Sequence, residues 1–416
     1  MLDIKKIREE TKEIEVSLKK RLGDVNLGLD KIILLDDTRK KIILELEGLK
    51  AEKNKLSKTK PDEETIKNIK KNNTNIKDLE DSLNQVEDDL HQKMSSLPNI
   101  VAPEVLAGGK ENNKVSYTFK EKPKFSFKAK DHVELAESLD IIDYKRAAKM
   151  SGSGFWLYKG DGALLEWALL NYFIDFHTKN NYQFIIPPFL LNKESAYASG
   201  HMPKFRDDLF WVEDGLCLNA TAEMMLGNYH RDEILKEEDL PLKYFAYSAC
   251  FRREAGSYRQ EERGMIRGHQ FNKIEMFQYT KPEDSWTVFE EMKNQATKLL
   301  EGLDLHFQVS DLAAGDCSAA MAKTVDLEVW IPSMNIYKEV SSASNALDYQ
   351  ARRGNMRFKD KNGKNEFLHT LNASGLATSR LLPAILEQNQ QEDGSVLIPE
   401  VLKQFLPIKL DKISKK

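Results

Sequence analysis

Two stretches of sevenfold repetition near the N-terminus limit what this chain can fold into more than any other feature. Leu35, Ile42, Leu49 and Leu56 recur every seventh residue with Leu46 between them; Ile69, Ile76, Leu83, Leu90 and Leu97 do the same, with Leu79 and Val86 between. Such a repeat keeps an apolar seam on one side of a helix and requires a second helix to cover it. The intervening SKTKPDEE supplies the reversal. Pro61 cannot continue the first helix but suits the first position of a second, and Asp62, Glu63 and Glu64 complement that helix's N-terminal dipole. The pattern predicts an antiparallel helical hairpin over about residues 30–97, ended by Pro98. Helices of roughly 28 to 35 residues, rising about 1.5 Å per residue, make an arm of roughly 40 to 50 Å.

Composition marks the same boundary. No Phe, Tyr or Trp occurs from Met1 to Ser116, so all 19 Phe, 5 Trp and 13 Tyr lie beyond it. With 416 residues the chain exceeds one ordinary domain. The expected division is an arm-bearing domain over 1–105 and a larger domain over 106–416.

Charge is polarised along the arm. Lys50 to Lys77 holds nine Lys against four acids, whereas Asp78 to Leu90 holds six acids and no base. The net charge of -4 excludes a globally basic nucleic-acid binder and leaves a local patch. A positive tip on a projecting arm suits a polyanion recognised by shape and backbone, as structured RNA is; the plain alternative is a solvated coiled coil that mediates dimerisation.

The N-terminal MLDIKKIREETKEIE is charged throughout and no run of about 18 apolar residues occurs, so the expectation is a cytoplasmic protein with no membrane partner. Cys217, Cys250 and Cys317 lack the spacing of a disulfide framework or zinc knuckle.

Beyond Tyr117 the pattern mixes elements. GALLEWALLNYFIDFHT and EDSWTVFEEMKNQATKLLEGL read as amphipathic helices, TVDLEVWI as a strand, and QFIIPPFLL as a strand stopped by two prolines. The densest chemistry lies in ACFRREAGSYRQEERGMIRGHQFNKIEMF. There Arg252, Arg253, Arg259, Arg263 and Arg267 stand among Glu254, Glu261, Glu262 and Glu275, between two stretches that read as strands. Guanidinium forks suit phosphate oxygens, nearby carboxylates orient them, and Phe271 offers a face on which a purine stacks.

At these residues the chain resembles the bacterial-type seryl-tRNA synthetases, which are class II aminoacyl-tRNA synthetases. NYQFIIPPFLL resembles that family's first signature motif, FRREAGSYRQEERGMIRGHQF its second and LNASGLATSRLLPAILE its third; ATAE, AKTVDLEVWIP and EVSSASNALDYQARR resemble further family segments, so the likeness spans nearly the whole chain. The resemblance implies an α+β fold: an antiparallel sheet flanked by helices in a class II catalytic domain, with the coiled-coil hairpin as the tRNA-binding domain. It implies a serine–tRNA ligase using ATP and Mg2+, acting on L-serine and tRNA(Ser), with tRNA(Sec) as a further acceptor. It also implies a homodimer, with the first motif at its interface and one subunit's arm reaching RNA on the other.

Residue by residue, the resemblance places ATP against Arg252, Arg253, Glu254, Arg267, Phe271, Glu339, Val340, Ser341, Ser342 and Arg380. Arg252 would meet the α-phosphate, Glu254 the adenine amino group, and Arg267 and Arg380 the outer phosphates. Glu339 and Ser342 match the magnesium positions. Serine would lie against Thr221, Ala222, Glu223 and Arg252, with Glu275, Thr370 and Ser374 around its hydroxyl. The chain departs from the family pattern at Asn219 and Ala220 before Thr-Ala-Glu, at Ala343 for Cys, and at Ala373 and Ser379 for Gly. AAGDCSAAM stands where the family is richer in glycine and aromatics. These departures keep two alternatives open: a paralogue that activates serine for another acceptor or resists a serine-mimicking inhibitor, and a non-catalytic RNA-binding relative.

Overall fold

The computed structural model describes residues 1–56, 62–255 and 264–415. Their contacts divide the chain into two compact units, Met1–Pro98 and Asn99–Lys416.

The first unit is helical. Two short helices, Ile4–Glu9 and Thr11–Leu22, precede the long helices Leu29–Leu56 and Glu63–Ser96. Arg39 pairs with Glu87, Lys50 with Glu80, and Asn72 donates to Glu52, so the long helices run antiparallel. Ile42, Leu46 and Ile76 are buried between them, with Leu49, Leu79, Leu83 and Val86 packed alongside. These are the residues of the two sevenfold seams. Asp62 caps the second helix, its carboxylate accepting from the Thr65 N–H at 2.8 Å. Pro61 lies outside the described residues.

The division falls at Pro98, ahead of the expected boundary at 105. Residues 99–105 belong to the second unit for a physical reason. The Asn99 side chain donates to the carbonyls of Ala320 and Ala346 at 2.9 and 2.8 Å, and Val101, Ala102 and Val105 bury against Ala314.

The second unit is built on one sheet of eight strands: β1 (Lys114–Phe119), β2 (Gln183–Ile185), β3 (Leu242–Phe251), β4 (Gln270–Thr280), β5 (Phe307–Asp311), β6 (Lys323–Ile331), β7 (Ile336–Leu347) and β8 (His369–Ala377). Their spatial order is β1-β5-β6-β7-β8-β4-β3-β2. Every pairing is antiparallel except β2 with β3, which is parallel, so the expected antiparallel sheet has one parallel edge. Helices Asp161–Lys179, Ser285–Glu301 and Thr378–Gln388 occupy the segments read as amphipathic or as the third motif. Leu165, Leu169 and Phe173 of the first and Leu381, Leu382 and Ile385 of the last share a core with Ile274 and Met276 of β4. QFIIPPFLL splits, as its prolines require, into β2 and a two-residue strand Leu190–Leu191. The three cysteines are free and buried.

Candidate active site

Side chains along a strand alternate between faces, so β4 presents residues 271, 273 and 275 to one side and 272, 274 and 276 to the other. The second set faces the core described above. The first set, Phe271, Lys273 and Glu275, runs along the floor of two adjoining cavities. The larger, about 630 Å³, reaches from Glu223 and Glu275 past Arg252 and Arg267 to Asp326, Glu339 and Arg380. The smaller holds Phe271, Val340 and Ser379, and shares Arg252, Glu254, Arg267, Lys273, Glu339, Ser374 and Arg380 with it.

At the nucleotide-like end, the Arg252 guanidinium lies over the Phe271 ring, 5.2 Å from its centroid, and its Nε donates to the Ala220 carbonyl at 3.3 Å. Arg267 pairs with Glu254 at 2.5 Å. Glu254 has a φ of 53°, a left-handed backbone that non-glycine residues hold only where surroundings impose it. Arg380, from the first turn of helix Thr378–Gln388, donates to the Glu339 carbonyl at 2.8 Å and to its carboxylate at 3.3 Å.

A bulge in β7 decides how Glu339 and Ser342 are used. The register with β6 shifts between Glu339 and Ser341, and the extra residue turns positions three apart to the same side. Both line the cavity, and the Ser342 hydroxyl lies 3.2 Å from Glu339 Oε1 while also donating to Asp326. Burial pushes the Asp326 carboxyl well above its usual range, with the Glu339 charge adding to it. Burial pushes Glu339 up too, but the Arg380 and Arg252 guanidiniums outweigh it and hold that carboxyl low.

At the other end, two buried carboxylates face one amide. Asn372 Nδ2 donates to Glu275 Oε1 at 3.0 Å and to Glu223 Oε2 at 3.3 Å. Ser374 Oγ and Thr221 Oγ1 each lie 3.4 Å from Glu275 Oε2. Lys273 Nζ lies 2.5 Å from that oxygen and donates to Thr221 Oγ1 at 2.7 Å. Burial, then the charge of Glu275, pushes the Glu223 carboxyl up to about 7.

The cavities gather Thr221, Glu223, Arg252, Glu254, Arg267, Phe271, Glu275, Glu339, Val340, Ser342, Ser374 and Arg380, twelve of the sixteen residues expected at the site. Of the other four, three stand behind the walls and Arg253 is exposed. Ser341 is buried, its hydroxyl on the Ser374 carbonyl; Thr370 is buried with its hydroxyl on Gln350 Oε1, and Gln350 in turn donates to Glu223 Oε1. Ala222 is the buried N-cap of helix Glu223–Leu226, and the Arg253 N–H donates to the Asp208 carbonyl. Thr370 thus reaches Glu223 through Gln350. Arg259, Glu261, Glu262 and Arg263 lie outside the described residues. Reading the sequence missed Lys273, Gln350 and Asn372; for Lys273 the signal was present, two residues before Glu275 in a strand of known period.

Comparison with known proteins matches residues 1–101 to the seryl-tRNA synthetase N-terminal domain and 206–389 to the class II tRNA synthetase core domain for Gly, His, Pro, Ser and Thr. A serine–tRNA ligase 2 of Clostridium acetobutylicum is 55% identical across 98% of this chain and 99% of its own length. The chain belongs to the seryl-tRNA synthetase family. A serine–tRNA ligase of Geobacter sulfurreducens is 44% identical, covering 98% of each chain. Among solved structures, a seryl-tRNA synthetase of Pyrococcus horikoshii complexed with ATP aligns over 100% of both chains with a TM-score of 0.92 and 34% identity. A cytoplasmic serine–tRNA ligase of Naegleria fowleri in complex with AMP aligns with a TM-score of 0.88 and 31% identity, covering 100% of this chain and 99% of its own.

Two of the residues singled out in the sequence meet in space: Ala343 of β7 is the registered partner of Ala373 of β8, and both are fully buried. Ala220 and Ser379 line the cavities themselves.

Proposed function

We propose that this protein activates L-serine with ATP and transfers it to the 3′-terminal ribose of tRNA(Ser). The observation that carries this reading is the floor of β4, where Phe271 and Glu275 stand four residues apart on one face: a stacking surface at one end and a hydroxyl acceptor at the other. At about 3.4 Å per residue they lie roughly 14 Å apart, the scale of an aminoacyl-adenylate.

In the first step a carboxylate oxygen of serine attacks the α-phosphorus of ATP and pyrophosphate leaves with the bond electrons. Seryl-adenylate remains. The enzyme supplies alignment and charge stabilisation instead of a nucleophile of its own. Arg252 holds the α-phosphate and Arg267 and Arg380 the outer phosphates; each is paired with a carbonyl or carboxylate and so is already aimed. Glu254 receives the adenine amine and Phe271 stacks on the base. Glu223 takes the α-ammonium and Glu275, with Ser374, the hydroxyl. A pocket that hydrogen-bonds a hydroxyl rejects the analogue lacking it by roughly 10⁴-fold or more, which excludes alanine; threonine is excluded sterically. In the second step a ribose hydroxyl attacks the adenylate carbonyl and AMP leaves.

Glu339 and Ser342 would hold Mg2+. Two hard oxygens 3.2 Å apart beside the phosphate-binding arginines suit an ion that keeps several waters and shares phosphate oxygens. When bound it neutralises phosphate charge. The helical arm with its nine-lysine stretch is the RNA-binding element, and tRNA(Sec) is a second acceptor.

A homodimer forms through the first motif, where Trp167, Phe184, Ile186 and Leu190 are exposed apolar side chains on or beside the edge strand β2. No helix among the described residues is long and apolar enough to cross a membrane, and we place the enzyme in the cytoplasm. Serine-dependent exchange of pyrophosphate into ATP, run against threonine, alanine and cysteine, tests the assignment. Exchange with serine alone is expected; no exchange with any of the four refutes it.

A further inference from the structure

We propose that Lys273 is a positioning residue that sets the amino-acid pocket's preference for a hydroxylated side chain, an inference that rests on the serine reading above. Lys273 is 5% exposed and its ammonium stands between two side chains from different elements: Glu275, two residues on along β4, and Thr221, from the loop before helix Glu223–Leu226. Among the described residues it is also the one lysine shared by both cavities.

The consequence follows from counting donors and acceptors. A hydroxyl has one proton to give and two lone pairs to fill. Thr221 Oγ1 accepts from Lys273 Nζ at 2.7 Å and from the Glu223 N–H at 3.2 Å, so both lone pairs are taken and its proton is directed to Glu275. Thr221 therefore has no acceptor left for an incoming ammonium. The two polar groups of the substrate are sorted between the two carboxylates: the ammonium goes to Glu223, whose Oε2 has only a long contact at 3.3 Å, and the hydroxyl goes to Glu275, which already has a cation beside it. Two buried carboxylates bridged by a single amide, Asn372, would otherwise compete for the same ammonium. Lys273 occupies Glu275 as a counter-charge, which makes that carboxylate a poor ammonium site and leaves it as a directed hydroxyl acceptor.

Without Lys273, Thr221 regains an acceptor site, Glu275 is a buried carboxylate without its cation, and an amino acid's ammonium is drawn to both carboxylates whatever its side chain. Alanine then closes part of its gap to serine. A residue that merely packs would lower both substrates together.

The test is ATP–pyrophosphate exchange by the full chain with serine and with alanine, comparing wild type, Lys273→Met and Lys273→Arg. The serine-to-alanine ratio of kcat/KM is expected to fall by about a hundredfold or more in Lys273→Met, and Lys273→Arg, which keeps the charge, is expected to stay within about tenfold of wild type. KM for ATP is expected to change by less than about threefold in both. Should Lys273→Met turn over too slowly, calorimetric Kd values for serine and alanine give the same ratio without chemistry. A ratio unchanged in Lys273→Met overturns the proposal while leaving the assignment of the site intact. Failure of the wild type to exchange with serine overturns that assignment instead.

Discussion

Glu166 offers a test of how the elements beneath the site are held together. It sits on helix Asp161–Lys179, 2% exposed, and its Oε1 accepts from Asn272 Nδ2 at 2.8 Å and from Thr378 Oγ1 at 2.6 Å. Asn272 lies on β4 between Phe271 and Lys273, and Thr378 opens the helix that carries Arg380, so one carboxyl joins a helix, a strand and a second helix beneath the nucleotide site. Burial pushes this carboxyl from 4.5 up to about 7, with the two hydrogen bonds pulling the other way. A gap of about 2.5 pH units at about 1.36 kcal/mol per unit makes the ionised form roughly 3 kcal/mol less favourable in the folded chain. The folded state holds the proton more tightly than the unfolded one. Its stabilisation is therefore complete below about pH 4.5 and is lost as pH rises through about 7. Glu166→Gln removes the charge and keeps an oxygen for Asn272 and Thr378. Urea unfolding should show the variant ahead of wild type by under about 1 kcal/mol at pH 5 and by about 3 kcal/mol at pH 8. A difference that stays constant over this range would refute the account.

Other perturbations separate the parts of the proposed reaction. Arg252→Ala should lower pyrophosphate exchange at least about a hundredfold while tRNA affinity by filter binding stays within about twofold. Deleting residues 49–77 should do the reverse, and charging of tRNA unaffected by that deletion would remove the arm from RNA binding. Glu223 must be ionised to receive an ammonium, and its carboxyl titrates near 7. KM for serine should therefore rise roughly tenfold per pH unit below that point, and Glu223→Gln should flatten the profile. Ile186, 73% exposed beside β2, should lie in the dimer interface; Ile186→Glu should yield monomers by sedimentation, and an unchanged dimer would place the interface elsewhere.

What could be read from the sequence was whatever is encoded by spacing along one segment. The arm follows from a seven-residue repeat and a proline, and the long strands and amphipathic helices of the larger unit follow from their periods. The arginines and carboxylates between 252 and 275 were legible as a phosphate-handling cluster from their residue types, whereas Glu223, Glu339 and Arg380 were expected from the family resemblance alone. Partners brought together by pairing between distant strands were not. Gln350 reaches the site from the short helix Tyr349–Arg353, its amide held by the Thr370 hydroxyl and donating to Glu223, and Asn372 reaches it because β8 lies against β4. Ser341 and Ser342 are indistinguishable as neighbours in a string; only the bulge before them sends one to the cavity and the other to the Ser374 carbonyl. Residues 99–105 read as part of the arm-bearing domain because their partners, Ala314, Ala320 and Ala346, are more than two hundred positions away.

The floor of β4 has an implication for how such a chain can vary over evolutionary time. The Phe271 ring, the Lys273 ammonium and the Glu275 carboxylate are set at every second residue, so inserting or losing one amino acid between Phe271 and Glu275 would send half of the set into the core beneath. A substitution there changes one group at a time, whereas a change of length displaces several at once.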